Sequence, residues 1–282
     1  MSIRIVTDST CDLTQEDRAR LNVTVVPLHV HFGEKSYIDD GVQLPPGQFF
    51  EKLQNSQVLP TTSQVTPQAF VEVFREHLEA GDDVVGIFIS SGISGTYQSA
   101  VIAKEELDND KLSVIDSQGA TVGLALLVAE AAKLRDAGLS AAEIVERITA
   151  LKEKVRFYAI LNTLKYLKKG GRISGTSAVI GGILGIKPII TMTEGKIETA
   201  GKERGMASAI GTVLDKTLAD PPDFSYPVAF THTCVPDELA KMKALYMDTL
   251  KTKDSITCNI GPVIGTYAGT GALGFAYVAK NA

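Results

Sequence analysis

The feature that most constrains this chain is the rhythm of its first half, where short β-branched runs alternate with amphipathic helical patterns. Strands separated by helix-length segments are joined by crossovers and pair in parallel. The candidate strands are Ile3–Thr7, Val23–Phe32, Val84–Ser90 and Leu112–Asp116. Two of the intervening helices carry their own start signals. Thr66 stands as an N-cap before Pro67 at the first helical position, Phe70, Val71, Phe74 and Leu78 share one face, and Gly81 ends the pattern. Ser140 with Glu143 makes a capping box ahead of Ile144, Ile148 and Leu151.

After about Lys154 the rhythm changes. Phe157–Leu161 and Lys187–Thr193 read as strands, and Glu194-Gly195 suits a tight turn into Lys196–Thr199, which makes a hairpin. Helical patterns over Ala207–Leu218 and Pro236–Leu250 separate further strands at Val228–Thr231 and Ile256–Ile260. The expected fold is therefore α/β in two domains. Residues 1–155 form an N-terminal α/β/α unit with a mainly parallel sheet, and residues 156–282 a C-terminal α+β unit with a mixed or antiparallel sheet. A chain of 282 residues, 44% hydrophobic and 22% charged, has room for two cores and for burying a sizeable apolar ligand.

The net charge of −5 argues against a nucleic-acid partner, because neutralising phosphates needs clustered Lys and Arg and the densest run is only Lys165–Arg172. Cys11, Cys234 and Cys258 are far apart and lack Cys-x-x-Cys spacing, which disfavours disulfides and zinc and fits a reducing compartment. The first residues run directly into a strand pattern without a basic then apolar leader, so a cytoplasmic location is expected. The apolar stretch Ala178–Ile190 is broken by glycines and Lys187, so no stable membrane insertion is expected, although transient membrane contact stays open.

In open α/β sheets ligands collect beyond the carboxyl ends of the strands. Those ends are rich in hydroxyls here: Asp8-Ser9-Thr10, Thr61-Thr62-Ser63-Gln64, Ser90-Ser91-Gly92-Ile93-Ser94-Gly95-Thr96 and Asp116-Ser117. Helix capping accounts for Thr10, Thr14 and Ser117. It accounts less well for Gly92 and Gly95 around Ser94, where two glycines let backbone approach a ligand while a hydroxyl and free amides face an anion. A small anionic ligand held by loop hydroxyls is the reading these residues support.

Four motifs, Thr61-Thr62-Ser63-Gln64, Ser94-Gly95-Thr96-Tyr97, Leu164 through Gly170-Gly171-Arg172-Ile173-Ser174, and Gly261-Pro262-Val263-Ile264-Gly265, follow in an order that resembles the DegV family of bacterial fatty-acid-binding proteins. The resemblance spans essentially the whole chain. It implies a two-domain α/β protein burying a long-chain fatty acid between its domains, with no other cofactor and no metal. By motif, Thr62 and Ser94 hold the carboxylate, with Ser63, Gly95 and Thr96 in the head-group or phosphate vicinity. The resemblance also implies a separate fatty acid kinase as partner, which phosphorylates the presented acid to an acyl phosphate, so the carrier itself is not an enzyme. Arg172 looks like the arginine that faces this kinase, and Arg204 like one near the carboxylate or phosphate end. Many relatives carry a histidine where this chain has Tyr267, so a cationic contribution from that position is missing.

Other signals point elsewhere and fail on context. Gly269-Thr270-Gly271-Ala272-Leu273-Gly274 matches the dinucleotide fingerprint, yet only 8 residues follow it, too few for the required helix, strand and acidic residue. His29 and His31 share one side of a strand without a third metal ligand nearby. No Gly-x-x-x-x-Gly-Lys-Ser/Thr phosphate loop occurs. An acyl ester or thioester hydrolase using Ser94 with His232 is the competing function, and a bare interaction scaffold a third.

Overall fold

The computed structural model describes residues 2–173 and 185–281. Ser174 and residues 178–184 of the apolar stretch lie outside the described residues. Strands β1 (Ile3–Asp8), β2 (Val23–Val26), β6 (Asp83–Phe88) and β7 (Leu112–Asp116) form a parallel sheet in the order β2-β1-β6-β7. Helices α1 (Gln15–Arg20), α3 (Pro67–Glu79), α4 (Thr96–Leu107), α5 (Thr121–Asp136) and α6 (Ala141–Lys152) belong to this half. Thr66 caps α3 ahead of Pro67, and Ser140 with Glu143 closes the capping box of α6. Thr14 caps α1, but Thr10 and Ser117 instead bond within their own turns, to Asp8 and Gly119.

The single strand expected over Val23–Phe32 is two strands in different sheets. Pro27 has no N–H to continue the ladder, and the Leu28 N–H turns to the Ser9 hydroxyl instead (3.1 Å). β3 (His29–Phe32) then leads a three-stranded antiparallel sheet, order β4-β3-β5, with β4 (Lys35–Ile38) and β5 (Thr61–Ser63). Thr62 is thus a strand residue opposite Val30 rather than a loop residue. Helix α2 (Pro46–Asn55) packs Phe49, Phe50 and Leu53 beneath this sheet against Val30.

The second half holds β8 (Val155–Ile160), α7 (Lys165–Lys169), β9 (Ile186–Thr193), β10 (Lys196–Arg204), α8 (Met206–Ala219), β11 (Val228–His232), α9 (Pro236–Leu250), β12 (Ser255–Asn259), α10 (Pro262–Ala268) and β13 (Leu273–Val278). Its six strands form a mixed sheet in the order β10-β9-β8-β13-β11-β12, parallel only between β11 and β12. The β9–β10 hairpin turns at Glu194-Gly195, and β10 runs past the expected Thr199 to Arg204 through a bulge. The glycine-rich match at Gly269–Gly274 enters β13, a fully buried central strand, not a helix.

Helix α5 binds the two sheets into one core. Residues 121–128 are all buried, because the helix is apolar on every side rather than along one stripe. Its cluster takes in Ile5, Val85 and Ile87 from the parallel sheet and Ala229, Ala276 and Val278 from the mixed one.

Candidate functional site

Side chains alternate across a strand, so one face of the mixed sheet presents Phe157, Ala159 and Leu161 from β8 and its end, Ile190 and Met192 from β9, and Thr231 from β11. Register aligns Ile190 with Ala159, Ala159 with Gly274, and Gly274 with Thr231. Two small residues therefore sit side by side at the centre of this face and leave a trough. Leu28, Ile89, Ile93, Val263 and Ile264, beyond the ends of the parallel strands and on α10, close it from the other side. The cavity is about 330 Å³, the size of a small-ligand site, and its lining is mainly aliphatic.

One end of the cavity is polar and interlocked. The Thr62 and Tyr267 hydroxyls hydrogen-bond at 2.6 Å. The Arg172 guanidinium lies over the Tyr267 ring, 4.9 Å from its centre, donates through Nε to the Ile93 carbonyl (3.1 Å), and donates to the Gly170 carbonyl (2.7 Å). Gly170 allows this, since a Cβ there would collide with the Tyr267 ring. Ser94, next to Ile93, donates to Thr96 Oγ1 (3.0 Å). Gly95 lets Gln64 lie against it, and Gln64 donates to Ser99 (2.9 Å).

Thr62, Ser63, Ser94, Gly95, Arg172 and Tyr267 thus all line one cavity. Ser63 is turned to His31 (3.0 Å). Thr96 is buried at the start of α4, behind Ser94, and does not itself line the cavity. Arg172 is half-buried at the mouth, shared with an outer hollow that also carries Lys196 and Glu198. Arg204 is not brought in. It is exposed at the end of β10 opposite Ile186, seven positions beyond the cavity residue Ile197, which is roughly 23 Å along a strand.

His232 follows Thr231 in β11 and so faces away from the cavity; its Nδ1 accepts from the Val235 N–H (3.1 Å), and burial lowers its pKa. The geometry supplies Ser94 with no imidazole, because among the described residues no histidine lines the cavity. No cluster of three His, Cys, Asp or Glu suited to a metal occurs among the described residues. No helix among them is long and apolar enough to cross a membrane.

A buried acidic pair escapes sequence reading. Asp12 Oδ1 accepts from the Gly261 N–H (2.8 Å) at the start of α10, and Asp39 accepts from Ser9 (3.0 Å). Both carboxyls converge on Gly261, where a Cβ would meet them. Burial pushes Asp39 up to about 7 and holds Asp12 well above the usual carboxylate range, with mutual repulsion adding to the rise in Asp12. No local pattern signals this site, because the Asp12–Gly261 hydrogen bond joins residues 249 positions apart.

Comparison with known proteins agrees with this architecture. A family model described as "Uncharacterised protein, DegV family" matches residues 2–280. A DegV domain-containing protein of Caldanaerobacter subterraneus subsp. tengcongensis is 37% identical over 279 residues, covering 99% of each chain. Among solved structures, a fatty-acid-binding DegV family protein from Thermus thermophilus superimposes with a TM-score of 0.90 at 34% identity, covering 99% of this chain and 100% of its own. A stearic acid-binding protein from Eubacterium ventriosum gives a TM-score of 0.89 at 30% identity, covering 99% of both chains. The parallel sheet, the mixed sheet and the near-complete match at both levels make this chain a member of the DegV family.

Proposed function

We propose that this protein binds a long-chain fatty acid in the cytoplasm, with its tail in the aliphatic trough and its carboxylate against Thr62 and Ser94, and presents it to a separate fatty acid kinase. The observation that carries this reading is an aliphatic cavity whose hydroxyls gather with a guanidinium at one end. Each buried methylene contributes roughly 0.8 kcal/mol, whereas a buried carboxylate is costly unless hydrogen-bonded and charge-compensated. Arg172 supplies the positive charge that Tyr267 lacks, and the Tyr267 ring keeps the guanidinium at the mouth. Arg172 also faces the outer hollow, so the residue that compensates the head group is the one a partner can reach. Occupancy by fatty acids in the Thermus and Eubacterium relatives supports the ligand class. The protein carries the acid, and the phosphoryl transfer belongs to the kinase.

Denaturing extraction of freshly purified protein followed by mass spectrometry should release close to one fatty acid per chain. Thr62→Ala and Ser94→Ala should each weaken binding by roughly ten- to a hundredfold, since a hydrogen bond to a charged group is worth about 1.5–3 kcal/mol. An empty extract, or full affinity in both variants, sinks the carboxylate assignment. Adding a purified fatty acid kinase with ATP should yield acyl phosphate, trapped as its hydroxamate, and no hydroxamate would end the carrier reading.

A further inference from the structure

Asp12 follows β1 and Asp39 follows β4, and the two carboxyls meet at Gly261, where an added Cβ would lie 2.9 Å from Asp39 Oδ1 and 3.2 Å from Asp12 Oδ1. They are 3% and 4% exposed. Neither forms an ion pair with a lysine or arginine among the described residues. Arg18 of α1 faces both, but its Nε donates to the Leu13 carbonyl (2.8 Å). The other titratable groups turned toward the pair are Asp8 at the end of β1, Cys11, Cys258 of β12 and Asp40. Asp8 and Asp40 are further carboxyls, and burial raises both thiols, so neither cysteine carries charge near neutrality. Two buried carboxyls this close, with one offset cation, do not both ionise readily.

What the pair holds is α10. Pro262 brings no amide, so Gly261 and Val263 carry those at the root of this helix; Gly261 donates to Asp12 (2.8 Å) and Val263 to Asp39. Asp12 also takes the Thr121 hydroxyl at the start of α5, and Asp39 that of Ser9, so the root is tied to the parallel half. A helix of 7 residues does not hold itself. Its outer side, at Gly265, lies flush on Phe49 and Phe50 of α2, and its inner side gives the cavity Val263, Ile264, Tyr267 and Ala268. A separate hollow of about 150 Å³ reaches Asp12 and Asp39 from the surface, past Arg18 and Asn259, so a proton comes and goes without crossing the lipid cavity.

We infer that Asp12 and Asp39 form a proton-operated latch on α10, which keeps this wall of the cavity seated while the pair holds a proton and loosens it when that proton leaves. The fatty acid is then retained in acid and released faster in alkali. This rests on the fatty-acid reading above and adds the regulation of that same site. With the proton in place one of the two carboxyls is neutral and nothing drives them apart. Without it, two like charges stand on neighbouring amides in a buried place; they separate or admit water from the hollow, and either response shifts the root of α10. Burial raises the folded-state proton affinity, to about 7 at Asp39, so the seated form lies on the acid side of that value and is lost as pH rises through it.

The test loads delipidated full-length protein with cis-parinaric acid, a fluorescent long-chain fatty acid, and follows its release into excess albumin by stopped flow. Release should be at least about fivefold faster at about pH 8 than at about pH 6. Asp39→Asn, which keeps an acceptor for Val263 but has no charge to gain, should release at the slow rate at both values. A wild-type probe that leaves at one rate at every pH overturns the latch while fatty-acid binding stands, and needs no variant to fold. A pH dependence that survives unchanged in Asp39→Asn overturns the assignment to this pair. Hydrogen exchange of the wild type, corrected for the intrinsic effect of pH, gives a second readout: amides of residues 261–268 should lose protection relative to those of α5 over the same interval, and equal protection overturns the latch. A probe that binds at neither pH takes down the fatty-acid reading and the latch with it.

Discussion

Gly92 and Gly95 flank Ser94 and look alike in sequence, but they do different things. A Cβ at Gly95 would meet the far end of the Gln64 side chain, which can swing away, whereas a Cβ at Gly92 would meet the backbone of Gly195 in the β9–β10 turn, which cannot. Ser90 donates to that same Gly195 carbonyl (2.6 Å), so Gly92 sits where the hairpin docks on the hydroxyl-rich loop. Gly95→Ala should cost about 1 kcal/mol through the lost Gln64–Ser99 bond, and Gly92→Ala more, roughly 2–3 kcal/mol, because overpacking against backbone has no cheap relief. Urea unfolding of both variants checks the order; equal costs would contradict it. Hydroxyls clustered at strand ends indicated a polar ligand site, and the family resemblance singled out Thr62 and Ser94, which line one cavity. The contact of Asp12 with Gly261 was not legible, because it joins residues 249 positions apart. The placement of Arg172 over Tyr267 was equally hidden, since a glycine-flanked arginine reads as a solvated loop charge.

Among the elements, those with one apolar stripe and a cap announced themselves: α3 through Thr66-Pro67, α6 through Ser140 and Glu143. Helix α5 did not, for the physical reason that it is buried all round and has no stripe to find. Strand β13 was masked by glycines that resemble a nucleotide motif, and Pro27 was overlooked as the break between β2 and β3. The central place of α5 carries a prediction about cooperativity. Leu127 is wholly buried in a cluster shared by both sheets, so Leu127→Ala should cost about 2–5 kcal/mol. Native-state hydrogen exchange should show β1 and β11 losing protection by the same amount, as one cooperative unit. Loss confined to one sheet would mean that the halves divided near residue 155 unfold separately.

For the whole molecule, the Asp12–Asp39 pair links stability to pH. A carboxyl whose folded value is raised binds its proton more tightly in the native state than when unfolded. Its contribution is therefore complete below the ordinary carboxylate value near 4 and is lost as pH rises through the folded value of about 7. Asp8, also raised by burial, acts in the same direction, and Arg18 partly offsets it for both members of the pair. The melting temperature should fall by roughly 5 °C between about pH 5 and pH 8, and Asp39→Asn should flatten much of that decline. A variant as pH-sensitive as the wild type would show that Asp39 is not the group responsible.

Thr62 stands in a strand, hydrogen-bonded into a sheet on one side and tied by its hydroxyl to Tyr267 on the other. Its orientation is fixed by these contacts alone, so the proposed capture of a carboxylate there would surrender little chain entropy. If Thr62 receives the carboxylate as proposed, an incoming oxygen must take Tyr267's place without disturbing the sheet, a requirement that favours small, flat acceptors over bulkier head groups.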